Sequence, residues 1–150
     1  MKKEELTNFI KNKIEKNSIF QPMLVCWNLL SIDILVWEIL REIMDFYWVD
    51  KNNLFVLKDN NESLKISDVK FFISKSNIKS NYKFQIFLIE NVQRLTLESS
   101  NSLLKFLEEP WLWNIVILTS KSESMILDTI LSRVVQIDIN WEENINNSIF

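Results

Sequence analysis

Residues 84–139 switch between strand-like and helix-like apolar spacing in an order that few architectures accept. The stretch reads FQIFLIENVQRLTLESSNSLLKFLEEP and then WLWNIVILTSKSESMILDTILSRVVQIDI. An apolar strand over 84–89 ends in the mostly polar tetrad Glu90-Asn91-Val92-Gln93. Arg94 and a capped helix over 96–108 follow, closed by Glu109-Pro110. A second apolar strand over 115–118 ends in Thr119-Ser120, and a short helical stretch leads through Leu131-Ser132-Arg133 to a third strand over 134–139. Strand, helix, strand, short helix, strand predicts a parallel sheet with crossover helices. In such sheets ligands sit outside the carboxyl ends of the strands, where this chain puts polar residues.

The residues before 84 extend the pattern. Leu6, Phe9, Ile10 and Ile14 recur at helical spacing over 4–16 and predict an amphipathic surface helix. The run 22–26 suits a buried first strand, and Ile34, Leu35, Ile39, Leu40 and Ile43 form the expected stripe of a helix behind it. Residues 54–57 predict a short strand after the polar turn 50–53, and 59–63 a polar loop. A helix begins near Ile66 with Ser67 as its expected cap and Val69, Phe72 and Ile73 on one face, followed by a polar connection over 74–82. In the later helix Thr96 is the expected cap, with Glu98 in the first turn and Leu97, Leu103, Leu104 and Leu107 as the buried stripe.

At 150 residues, 47% apolar and 25% charged, the chain suits one globular domain with its own core. A net charge of −3 argues against a broad nucleic-acid footprint and leaves room for a small local contact. One cysteine, Cys26, excludes an internal disulfide and a four-cysteine zinc site. Histidine is absent, which removes His-based catalysis and His-ligated metals, so no metal site is expected. No apolar run has transmembrane length and the first residues lack the apolar core of a signal peptide, so the expectation is a cytoplasmic protein without a membrane partner.

Glycine and alanine are absent too, although about 7% glycine is ordinary usage. Abundant Lys, Asn, Ile and Phe fit an AT-rich coding sequence. Six tryptophans do not, because the standard tryptophan codon is G-rich. One expectation covers both oddities: some or all of these tryptophans are UGA codons standing where the native protein has glycine, as in bacterial lineages that reassign UGA. Trp27 follows a strand, Trp48 sits in a turn-like region, and Trp111 and Trp113 flank Leu112 just after Pro110; Trp37, inside a helical pattern, fits less well. The alternative is that all six are ordinary apolar anchors.

Strand, short loop, helix is also the setting of a phosphate-binding loop, which needs glycines for close backbone approach and a lysine for the β- and γ-phosphates. The candidate loop Trp27-Asn28-Leu29-Leu30-Ser31-Ile32-Asp33 has no lysine, and Asp33 occupies the lysine position. A carboxylate there repels a triphosphate, so no tight nucleotide binding is expected. After the strand over 84–89 an NTPase needs an Asp for Mg²⁺ and a Glu to orient water. This chain has Glu90 and Asn91, which read either as solvent-facing strand-end groups or as a residual metal-binding pair. Thr119 reads as a strand-end hydroxyl or as a group that senses phosphate or the Glu90 side. Arg133 reads as a surface ion-pair partner or as a cation aimed at a neighbour's nucleotide.

The string Ile89-Glu90-Asn91-Val92-Gln93-Arg94-Leu95, with Glu98 through Pro110 (ESSNSLLKFLEEP), resembles the Walker B strand and following helix of bacterial clamp-loader AAA+ subunits. Ile117-Leu118-Thr119-Ser120 resembles their sensor 1 strand, and Leu127 to Arg133 (LDTILSR) the segment ending in their Ser-Arg-Cys arginine finger, with Val134 in place of the cysteine. The resemblance is strong over 84–139 and weaker but collinear over 19–83. It implies an AAA+ P-loop-NTPase-like α/β fold, with a five-stranded parallel sheet of order 5-1-4-3-2. The degenerate Walker A (Trp27, Asn28, Asp33) and Walker B (Glu90, Asn91) point within the family to the delta-prime type of DNA polymerase III rather than the hydrolysing gamma/tau type.

The resemblance further implies a non-hydrolysing clamp-loader subunit in DNA replication. Arg133, with Ser132 beside it, would complete the ATP site of an adjacent subunit, and Thr119 would stand as sensor 1. ATP would be bound by partner subunits, and this chain would carry no cofactor of its own. Expected partners are the gamma/tau and delta subunits, with the sliding clamp and primed DNA reached through the complex. The expected organisation is a single core domain over 1–150, with an N-terminal helix (1–18), an α/β core (19–139), a C-terminal tail (140–150), and neither lid nor collar. Two other readings stay open: a weak gamma/tau-type ATPase using Glu90, and an interaction module without a nucleotide role.

Overall fold

The computed structural model of the chain describes residues 3–26, 32–58, 64–77, 84–109 and 113–138. Among the described residues five α-helices and five strands alternate: α1 (Lys3–Glu15), β1 (Met23–Cys26), α2 (Ile32–Tyr47), β2 (Leu54–Leu57), α3 (Ile66–Ser74), β3 (Gln85–Ile89), α4 (Leu97–Glu108), β4 (Asn114–Ser120), α5 (Asp128–Leu131) and β5 (Val135–Asp138). The strands form one parallel sheet in the order β2-β3-β4-β1-β5, which is the expected 5-1-4-3-2 read from the other side.

The apolar runs that read as strands are apolar on both faces because both faces are covered. Successive residues feed alternate cores. Met23 and Val25, Ile86 and Leu88, and Ile115 and Ile117 pack under Ile10 and Ile14 of α1 and Val36, Ile39, Leu40 and Ile43 of α2. Leu24 and Cys26, Phe87 and Ile89, and Val116 and Leu118 face the opposite side, under Val69 and Phe72 of α3, Leu103, Phe106 and Leu107 of α4, and Ile130 of α5. Phe87 is fully buried and rings this second core with Phe55, Phe72 and Phe106, at centroid distances of 5.0, 5.4 and 5.5 Å. Each large aliphatic side chain removed from water in these layers stabilises the fold by about 1.5–3 kcal/mol.

Several local expectations need correction. Ile34 and Leu97 were expected in buried stripes and are 67% and 66% exposed. Ile39, Leu40 and Ile43 of the expected α2 stripe are buried, and Val36 joins them in an i, i+3, i+4, i+7 set that leaves Ile34 out. Both exposed residues stand in the first turn of their helix. Ser67 does not cap α3, because the helix already starts at Ile66 and Lys65 holds the cap position without a side-chain bond. Thr96 does cap α4, its Oγ1 accepting from the Ser99 amide at 3.1 Å. β4 runs through Thr119 and Ser120 rather than stopping at Leu118. Residues 59–63, 78–83 and 110–112 lie outside the described residues, as do Trp27 and Asn28.

Candidate functional site

The order of the strands fixes where a site can form. From β1 the chain crosses to β2 on one side, and from β4 it crosses to β5 on the other, so the connections diverge between the adjacent strands β1 and β4. The crevice at such a point, outside the carboxyl ends of the strands, is the usual ligand position. Cys26 at the end of β1 is in register with Ser120 of β4 and Asp138 of β5, and Ile89 of β3 with Leu118. The residues after Ile89 and those at 119–120 therefore share one edge with the end of β1.

At this carboxyl edge Glu90 leaves β3 with its amide donating to the Leu57 carbonyl at 3.0 Å. Asn91 then takes a left-handed backbone, φ 53° and ψ 53°, a conformation asparagine tolerates better than most residues. Its amide donates to the Thr119 Oγ1 at 3.1 Å. Thr119 is buried at 3% exposure, so its hydroxyl ties the ends of β3 and β4 together. The Asn91 Oδ1 accepts from Gln93 Nε2 at 3.2 Å, which orients the amide. Gln93 thus belongs to this edge, and only its place in the polar tetrad marked it in the sequence. Asp33 falls in the first turn of α2, whose side chain lies outside the described part of the molecule. Among the described residues no group of three or more metal-ligating side chains converges.

Arg133 lies at the other end of the sheet. It sits two residues before β5, whose first residue Val135 donates its amide to the Pro22 carbonyl at 2.7 Å and pairs with Met23 at the start of β1. From Met23 to Cys26 the strand advances about 10 Å, which is the least separation between this edge and the carboxyl edge. The Arg133 side chain is 29% exposed and ion-paired with Glu108, at the last residue of α4. Its Nε donates to Glu108 Oε1 at 2.8 Å and its Nη2 donates to the same oxygen. Nη1 donates to the Thr129 carbonyl at 2.6 Å and to Ser132 Oγ at 3.2 Å. The Ser132 hydroxyl donates in turn to that Thr129 carbonyl at 3.1 Å. Arg133 and Ser132 are therefore brought together, while Glu90, Asn91 and Thr119 form a separate group. Glu108 and Thr129 had no mark in the sequence as its holders, since the pairing spans 25 positions along the chain.

Comparison with known proteins bears on the family and the fold. The family described as DNA polymerase III, delta subunit, matches residues 41–143. An uncharacterised protein of Mycoplasma pneumoniae is 40% identical over 90 residues, and the delta-prime subunit of DNA polymerase III from Bacillus subtilis 32% identical over 89. Those alignments cover 60% and 59% of this chain but only 32% and 25% of the relatives' own lengths. Among solved structures, a gamma-subunit-related protein of DNA polymerase III from Thermotoga maritima superposes with a TM-score of 0.75 at 20% identity, over 95% of this chain and 47% of that one. The RuvB protein of the same organism superposes at 0.67 and 12% identity, over 94% and 45%. These two likenesses show the AAA+ fold alone. The family match over 41–143 shows that the chain belongs to the DNA polymerase III delta-subunit family, and the Bacillus alignment makes it similar to a delta-prime subunit over 59% of its length.

Proposed function

We propose that the chain is a non-hydrolysing subunit that lends Arg133 to the ATP site of an adjacent clamp-loader subunit. The observation that carries this reading is the position of Arg133 at the amino edge of the sheet, at least the length of β1 away from Glu90, Asn91 and Thr119. A guanidinium there is poorly placed to serve a nucleotide at this chain's own carboxyl edge and, partly exposed on the surface, better placed to serve another chain's. Asn91 at the second acidic position, and Asp33 where a phosphate-loop lysine belongs, fit a subunit that leaves hydrolysis to its neighbour. The partners on this reading are gamma/tau-type and delta-type subunits, acting to load a sliding clamp onto primed DNA in the cytoplasm, with ATP held by the partner.

The test is the ATPase rate of the complex formed with the gamma/tau-type and delta-type subunits encoded in the same genome, with wild-type chain against Arg133→Ala. A large loss supports the reading, and equal rates end it. Glu90 favours one competing reading, a weak ATPase of gamma/tau type, because it keeps a carboxylate at the end of β3. Titration with ATP separates the two. Micromolar binding by this chain alone supports the ATPase and contradicts the reading of a subunit without a nucleotide of its own.

A further inference from the structure

Three of the described residues have a left-handed backbone: Asn17 at φ 54°, Trp48 at φ 53° and Asn91 at φ 53°. Two are asparagine, the residue that enters this region most readily after glycine. The third is tryptophan, whose Cβ collides with the following carbonyl there. Trp48 is the first residue past α2, and the next amide, Val49 N–H, donates to the Met44 carbonyl at 2.9 Å. That is the six-to-one bond of a Schellman closure, with Trp48 in the position that glycine normally takes. The apolar contact that accompanies this closure is present too, since Val49 and Met44 join the same core. The indole gains nothing in return, because Trp48 is 90% exposed. The other described tryptophans, Trp37 and Trp113, are 48% and 45% exposed, although tryptophan is a highly buried residue on average.

We infer that residue 48 is glycine in the protein its own cell makes, specified by a UGA codon that the cell reads as glycine, and that the remaining tryptophans with that codon share the reading. Position 48 carries the inference because backbone, side chain and helix closure each ask for a residue without Cβ. The codon, not stability, extends it to the others. At position 37, in the middle of α2, glycine weakens the helix rather than improving it.

Two measurements test this. Protein isolated from its own source is digested with trypsin, and the peptide spanning 42–51 is weighed; the expected mass lacks the indole-bearing side chain, and a tryptophan mass at 48 overturns the inference. Separately, protein produced with tryptophan at 48 is compared with Trp48→Gly and Trp48→Ala. Glycine should raise the folding equilibrium constant about fivefold to thirtyfold, the size of a relieved left-handed clash, and alanine should recover little of it. Equal recovery by alanine means that the bulky side chain, not the backbone, is at fault, and that outcome also overturns the inference.

A different observation, the geometry around Arg133, carries a second inference, which rests on the proposed role of that arginine. We infer that Glu108 is a positioning residue for the lent guanidinium. One carboxylate oxygen takes both Nε and Nη2, and the Thr129 carbonyl and Ser132 Oγ take Nη1, so the fork is held flat against α4 and α5 before any partner arrives. A charge-assisted pair of this kind fixes orientation as well as adding energy. In the complex with the gamma/tau-type subunit, Glu108→Gln should lower kcat about tenfold with KM for ATP unchanged, Glu108→Asp should restore part of it, and Glu108→Gln should cost nothing further in an Arg133→Ala background. If Arg133→Ala has no effect, the lending role itself fails. If Arg133→Ala is costly while Glu108→Gln is neutral or faster, only the positioning role fails.

Discussion

The carboxyl and amino edges of the sheet are finished by opposite chemistry. At the carboxyl edge, polar groups turn inward on one another: the Asn91 amide on Thr119, and Gln93 on the Asn91 side chain. At the amino edge a cation and a carboxylate, Arg133 and Glu108, are paired on the surface at 29% and 48% exposure. In a hydrolysing α/β NTPase the carboxyl edge carries the chemistry. Here the bonds among Asn91, Thr119 and Gln93 are uncharged, with Glu90 keeping one carboxylate beside them, and an oriented guanidinium stands at the far end. The difference teaches that one fold can end its strands in polar groups at one edge while a guanidinium is held in a fixed orientation at the other.

The strongest way to break that comparison is Arg133→Ala in the complex with a gamma/tau-type subunit. The ATPase rate should fall by about 10³-fold or more, the scale of a removed arginine finger, and Arg133→Lys should not rescue it because an ammonium lacks the fork. Next in size is Leu103→Ala, in the middle of α4, the helix that runs from one edge to the other. Leu103 is fully buried, so the cost should be about 2–5 kcal/mol in denaturant unfolding. A cost under 1 kcal/mol shows that α4 is not the shared support.

Thr119→Val sharpens the contrast. It removes the acceptor for the Asn91 amide and should cost about 1–3 kcal/mol of stability while leaving the partner's rate per folded molecule unchanged. A loss of rate instead gives the carboxyl edge a direct part in catalysis. The smallest effect belongs to Tyr47, outside both edges. Its hydroxyl is buried with no hydrogen-bond partner among the described residues, and burial raises its pKa above the ordinary 10.0. The unfolded chain therefore ionises first. The contribution is fully present below pH 10 and is lost as pH rises through the higher folded value. Tyr47→Phe should leave the midpoint temperature at pH 7 unchanged or slightly raised and should flatten that alkaline loss; an alkaline limb identical in both proteins assigns the loss to other groups.

Much of this was legible in the residues, for identifiable reasons. The run 84–89 is apolar without interruption because β3 is covered on both faces, and Thr96 with Glu98 announces α4 through its first-turn chemistry. The sheet order came from likeness to a known family rather than from spacing, since periodicity fixes elements and not their neighbours. Ile34 and Leu97 were misjudged because periodicity names a face without saying how far along the helix the covering layer reaches. Gln93 was noticed as polar but its service to Asn91 depends on the tight turn at 91. The Glu108–Arg133 pair is created by the return of the chain through β4, and no local pattern foretells it.

The left-handed turn at Asn91 sets terms for how this surface can change. Its anchor to Thr119 uses the backbone N–H, and its side chain serves as the acceptor for Gln93, a part that a carboxylate oxygen can also play. Aspartate accepts the same backbone angles. Exchanging one amide nitrogen for oxygen at 91 would thus seat a second acid next to Glu90 while the turn stays as it is, so an acidic pair at the end of β3 is a single substitution away.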